Sequence, residues 1–169
     1  MGVELMKILG LDPGIAITGF AVIEESKRGV IPLIYGCIRT KSNTLHSQRL
    51  KIIYEDINTI IDQYKPDVAA IEKLFFNRNV TNALKVGEAR GVVTLALANN
   101  AIDIFEYTPL QVKQSLVGYG RADKKQIQYM VKSEFKLAEA PKPDDVADAC
   151  AIALTHVRSR RLNALMKGK

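Results

Sequence analysis

The tightest constraint on this chain is the crowding of three apolar runs into its first 40 residues. Residues 6–12, 18–25 and 31–40 are rich in Ile, Val and Leu, and Gly14, Gly19 and Gly29 punctuate them. The gaps are too short for a crossover helix, so the runs predict an antiparallel β-meander. Leu50, Ile53, Ile57, Ile60, Ile61 and Tyr64 then recur at helical spacing, predicting an amphipathic helix over 47–64 that Pro66 closes. Residues 68–72 form a short apolar strand, 81–99 a second helix and 102–107 a fifth strand. Helical patterns follow at 110–116 and 124–135. Pro141 and Pro143 break the chain, and a last helix opens near Asp144 and continues past Ala153. The order β-β-β-α-β-α-β-α-α-α predicts an α/β fold. Its five-stranded mixed sheet combines the meander with parallel strands, under helices on both faces. With no linker or repeat in 169 residues, the expectation is one domain spanning 1–169.

Two acids stand where a fold would not put them for stability. Asp12 ends the run Ile8-Leu9-Gly10-Leu11-Asp12, and Glu72 ends Val68-Ala69-Ala70-Ile71-Glu72. A carboxylate on a central strand is costly unless it is paired or binds metal. Two such strand ends, on strands expected to be neighbours, point to a shared site. A third element is Pro143-Asp144-Asp145-Val146-Ala147-Asp148 at a helix start. Asp145 and Asp148 are three apart and share a face, while Ala147, Ala149, Ala151 and Ala153 let that helix approach the sheet. Read alone, this motif is first of all an N-cap at Asp144 with acids favouring the helix dipole. Read together, the acids suit Mg²⁺ or Mn²⁺, and two such ions can clamp an in-line phosphoryl displacement. His46 and His156 lie near predicted helix ends and read as structural or exposed.

Charge points the same way. Lys plus Arg outnumber Asp plus Glu by 24 to 18, a net +6 that favours a polyanionic partner. The denser stretch of Arg158, Arg160, Arg161, Lys167 and Lys169 reads as a solvated tail. Phe75-Phe76-Asn77-Arg78-Asn79 sets an aromatic pair beside a cation in a predicted loop. Aromatics offer bases a stacking surface, and Arg holds phosphates. No apolar run is long enough to span a bilayer, and the start MGVELMKILG lacks the pattern of a signal peptide. Cys37 and Cys150 make neither a disulfide framework nor a zinc spacing, and fit a reducing cytoplasm.

Several of these segments are long enough to compare with a known family. LGLDPGIAITGFAVIE, GCIRT, AIEKLFFNRN, ALKVGEARGV, EYTPLQVKQSLVGYGRADKKQIQYMV and PDDVADACAIALTH resemble, in order, successive segments of the RuvC family of Holliday junction resolvases. They span about residues 6 to 157. The resemblance implies an RNase H-like fold and a homodimer that cuts four-way DNA junctions symmetrically with Mg²⁺; the acids themselves admit Mn²⁺ as a substitute and two ions at each site, and the cysteines a cytoplasmic setting. The resemblance implies metal ligands at Asp12, Glu72, Asp145 and Asp148, and catalytic basic residues at Lys113 and Lys124. It also implies a base-stacking aromatic at Phe75; the local chemistry adds Phe76 and Arg78 as DNA contacts, and Lys125 stands as the alternative to its neighbour Lys124. The RuvA–RuvB branch-migration complex would be a partner. The chain departs from the family only by a few added residues at its N-terminus and around 41–45. The rivals are another RNase H-like nuclease, an actin-like phosphotransferase, for which Asp12-Pro13-Gly14 would be a phosphate loop, and an inactive junction-binding module. One domain is too small for the two-lobed cleft of the phosphotransferases, and four acids argue against an inactive module.

The helix predicted over 81–99 bears on the dimer. Leu84, Val86, Val92, Val93, Leu95, Ala96 and Leu97 make it apolar on more than one face. It is either the dimer surface or a central helix buried in the monomer.

Overall fold

In the computed structural model, residues 5–73 and 80–167 are described. The elements follow the predicted order. They are β1 (Met6–Asp12), β2 (Ile17–Ser26), β3 (Gly29–Arg39), α1 (His46–Tyr64), β4 (Val68–Glu72), α2 (Val80–Asn99), β5 (Asp103–Tyr107), α3 (Pro109–Val117), α4 (Lys124–Glu134) and α5 (Asp144–Lys167). The strands lie in the order β3-β2-β1-β4-β5. β1, β2 and β3 pair antiparallel, as short connections require, whereas β1–β4 and β4–β5 are parallel and joined through helices.

Alternation along the strands divides the core into two layers. Leu9, Leu11, Val22, Ala69 and Ile71 face α1 and α2, packing with Ile53, Ile57, Val93 and Leu97. Ile8, Ala21, Ile23, Ala70 and Tyr107 face α3, α4 and α5. Deep burial on both faces of β1 and β4 makes these strands the centre of the molecule.

The small residues of α5 and of the sheet let this helix lie on the strands. A Cβ built on Gly10 would stand 2.2 Å from the Ala149 carbonyl oxygen, and one on Gly19 would stand 1.9 Å from that of Asp145. Gly19 therefore does more than punctuate a turn: it lies within β2, opposite Asp12, and makes room for the start of α5.

The C-terminal arginines are not a frayed tail. Arg160 Nη1 and Arg161 Nε donate to the two oxygens of Glu25, at 2.8 and 2.7 Å, and Glu25 is 2% exposed. Arg158 donates to the Ser115 carbonyl and pairs with Glu134. These bonds fasten α5 to β2, α3 and α4. His156 likewise sits within α5 rather than at a helix end. It is buried, stacked on Phe105 and hydrogen-bonded through Nδ1 to the Tyr107 hydroxyl, and burial lowers its pKa to about 4. His46 opens α1 and pairs with Glu88.

Candidate active site

Strand register brings the first two acids together. Gly10 pairs with Ala70 and Leu11 with Ile71 across β1 and β4, so Asp12 and Glu72 end adjacent parallel strands. Both follow the even positions that face α5, Ile8 and Gly10 on β1 and Ala70 on β4. α5 begins directly above, and its close seat on Gly19 sets Asp145 over the strand that pairs with Asp12. Asp148, one helical turn further, faces the same way.

The electrostatics register this convergence. Burial, then the charges of Asp148, Glu72 and Asp145, push the Asp12 carboxyl from 3.8 up to about 8, and Lys124 only partly offsets them. Burial and Asp148 likewise raise Glu72. Burial raises Asp148 against the opposing charge of Lys124. Like charges held together in a partly dry place favour neutral acids until a cation arrives.

Two helices bring cations to this cluster. Asp123 caps α4, its side chain accepting from the Gln126 backbone while the Gln126 side chain accepts from the Asp123 N–H. That capping box fixes Lys124 in the first turn. Lys124 Nζ lies 3.0 Å from Asp144 Oδ2 and 3.5 Å from Asp148 Oδ2. Burial opposes its charge, but the bonds and charges of Asp144 and Asp148 win and hold this ammonium above the ordinary lysine range. Thr108 and Gln111 make a second capping box at the start of α3, with Pro109 in its first turn, and this helix carries Lys113. Glu72, Lys113, Lys124 and Asp148 line one cleft of about 280 Å³. Val112, Ile127 and Ile152 also line it.

Asp144 is not read correctly as a simple cap. It lies inside α5, where its carboxylate accepts from Gln128 Nε2 at 2.8 Å and pairs with Lys124. Lys125 points elsewhere, lining a separate groove with Val117, Tyr129 and Met130. Phe75, Phe76 and Arg78 lie outside the described residues. Arg90 of α2 escaped the sequence reading. Its Nη1 donates to the Glu72 carbonyl at 2.6 Å, and its Nη2 pairs with Glu106 on β5.

As the side chains stand, no three His, Cys, Asp or Glu among the described residues are gathered closely enough to enclose an ion. The donor set is nevertheless of the kind that suits one. Carboxylate oxygens from two strand ends and a helix are hard ligands for a divalent cation, and such a cation would relieve the repulsion that raises Asp12.

A five-stranded mixed sheet of this order, with acids at the carboxyl ends of two adjacent inner strands, is an RNase H-like α/β fold with an acidic cluster at one end of its sheet. The model of the crossover junction endodeoxyribonuclease RuvC family matches residues 8–156. The RuvC of Alkaliphilus oremlandii is 53% identical over 97% of this chain and 100% of its own. That of Caldicellulosiruptor saccharolyticus is 54% identical over 91% of this chain and 93% of its own. Thermus thermophilus RuvC, solved in complex with Holliday junction substrate, superposes with a TM-score of 0.88. It is 34% identical, covering 94% of this chain and 96% of its own. The chain belongs to the RuvC family of crossover junction endodeoxyribonucleases.

Proposed function

We propose that this protein is a structure-specific, Mg²⁺-dependent endonuclease that resolves four-way DNA junctions by paired symmetric nicks, in cytoplasmic recombination and repair. The observation that carries the reading is the convergence of Asp12, Glu72 and Asp148 with Lys124, where burial first and the neighbouring carboxylates next hold Asp12 at about 8. Stability alone gives no reason to build such a cluster on two central strands. In this reading Asp12, Glu72, Asp145 and Asp148 hold two Mg²⁺ ions, with Mn²⁺ as a substitute. The bound ions would neutralise the scissile phosphate and lower the pKa of the attacking water.

The remaining work falls to the chain's own residues. The Asp12–Glu72 strand pair fixes one side of the site and the rigid seat of α5 fixes the other. Lys113 and Lys124 project into the same cleft and would hold the phosphate oxygens. The Lys124 ammonium leaves Asp144 and Asp148 for the phosphate when the site fills. Phe75, with Phe76 and Arg78, would stack on and hold the junction bases. Lys125, facing its own groove, would meet phosphate further along the strand.

Both cuts require two sites, and a C₂ homodimer supplies them with the symmetry of the junction. α2 has the surface for it. Ala89, Val93, Ala96 and Leu97 are buried against the sheet, while Leu84 and Leu95 remain 63% and 54% exposed. Gly87 and Gly91 lie along the same outer stripe, where a Cβ would meet open space, so a second helix can approach closely. The RuvA–RuvB complex as a further partner rests on family membership alone.

The test is a labelled synthetic four-way junction, with a linear duplex of the same sequence as control. Mg²⁺ should give symmetric cuts in the junction and none in the duplex. Glu72→Gln should bind the junction and leave it whole. Equal cutting of both substrates would contradict junction specificity.

A further inference from the structure

The Glu72 side chain belongs to the acid cluster, and its backbone is anchored from the opposite face of the sheet. Arg90 rises from α2 among residues buried against that face. Its side chain is 15% exposed; its charge, after that of Lys124, opposes the rise of the Glu72 carboxyl, while its direct contacts go to a backbone carbonyl and to a carboxylate outside the acid cluster. One arm of the guanidinium, Nη1, donates to the Glu72 carbonyl oxygen at 2.6 Å. The other, Nη2, pairs with the Glu106 carboxylate. Glu106 pairs with Ile71 in the β4–β5 ladder, and Tyr107 pairs with Glu72. The planar fork thus bridges the last residue of one strand and the penultimate residue of the next.

β4 ends at Glu72, and the Lys73 N–H donates to the Tyr107 carbonyl. Glu72 therefore sits where the ladder stops, and its carbonyl bond to Arg90 continues the restraint. Glu106 is a half-exposed carboxylate on the edge strand.

We propose that Arg90 is a positioning residue for the reaction. From beneath the sheet it fixes the backbone of Glu72, and so the place of that carboxylate in the metal site. The inference rests on the reading of Glu72 as a metal ligand. Partners that orient a ligand change metal affinity by about 10- to 100-fold when lost. Arg90→Gln should therefore raise the Mg²⁺ concentration for half-maximal junction cutting by about 10-fold. It should raise the Kd for Mg²⁺ measured by calorimetry on the DNA-free protein by a similar factor. Junction affinity in EDTA should stay within about twofold of the parent's, because Arg90 does not face the cleft. Arg90→Lys keeps the charge but cannot bridge both partners, so it should rescue little.

The parent protein is measured alongside. If it fails to bind Mg²⁺ or to cut, the metal-site reading has fallen, and the inference with it. If it binds and cuts, and Arg90→Gln shows an unchanged Mg²⁺ affinity, Arg90 only supports the fold and the proposal is overturned. Should Arg90→Gln not fold, Glu106→Gln decides instead. It removes the ion pair that holds the guanidinium in place beneath Glu72, so the grip on the Glu72 carbonyl should loosen, and an unchanged Mg²⁺ affinity there overturns the proposal equally.

Discussion

Neutralising Asp12 should make the metal-free protein more stable while destroying its activity. In the folded chain the Asp12 carboxyl sits at about 8, against 3.8 for the free group. The sign follows from proton linkage. Between those values the unfolded chain has released this proton and the native protein keeps it. Stability is therefore fully present below pH 3.8 and is lost as pH rises toward 8. Each pH unit in that window costs at most roughly 1.4 kcal/mol, so the ceiling at pH 7 is about 4 kcal/mol. Lys124 and water entering the cleft reduce this, and Asp12→Asn should gain about 1–3 kcal/mol at pH 7. For a chain of this length that is a rise in Tm of about 3–10 °C. The assay is urea denaturation in EDTA at pH 5.5 and 7.5, parent against variant. The gain should grow with pH, and Mg²⁺ should restore the parent by binding its native state. An Asp12→Asn protein no more stable than the parent at pH 7.5, or a gain that shrinks with pH, would refute the electrostatic reasoning.

Other outcomes follow from the same geometry. Lys124→Ala should slow cutting and lower the salt slope of junction binding by about one, if the ammonium moves from Asp144 and Asp148 to a phosphate; an unchanged rate at saturating enzyme removes it from the site. Phe75→Ala should cut poorly with a Tm close to the parent's. A loss of about 3–5 kcal/mol, as for a buried Phe, would place the ring in the core instead. Leu84→Glu on the exposed stripe of α2 should sediment near the 18.7 kDa chain mass, where the parent gives twice that. A variant that still sediments as a dimer removes this face from the interface.

Much of this was legible in the sequence, for identifiable reasons. The meander followed from connection length, and the helices from the period of Ile53, Ile57 and Ile61, all of which are buried. Asp12 and Glu72 stood out because apolar strands rarely end in charge, and the ladder does place them side by side. What escaped depends on partners distant in the chain. Arg90 carries no signal of its own in the sequence, because only the fold brings Glu72 and Glu106 to it. Arg160 and Arg161 read as a loose tail because Glu25, at the far end of the sequence, is their partner. Gly19 looked like turn punctuation because nothing local announces that a helix will rest on it.

The most direct measurement is cleavage of a supercoiled plasmid that extrudes a cruciform, with Mg²⁺ added to the assembled complex. Paired cuts by one homodimer within the lifetime of one complex convert the plasmid directly to linear DNA. The account predicts that linear product appears without prior accumulation of nicked circles, and that Glu72→Gln yields neither. Nicked circles accumulating as the main product, or linear product from a plasmid without the cruciform, would contradict it.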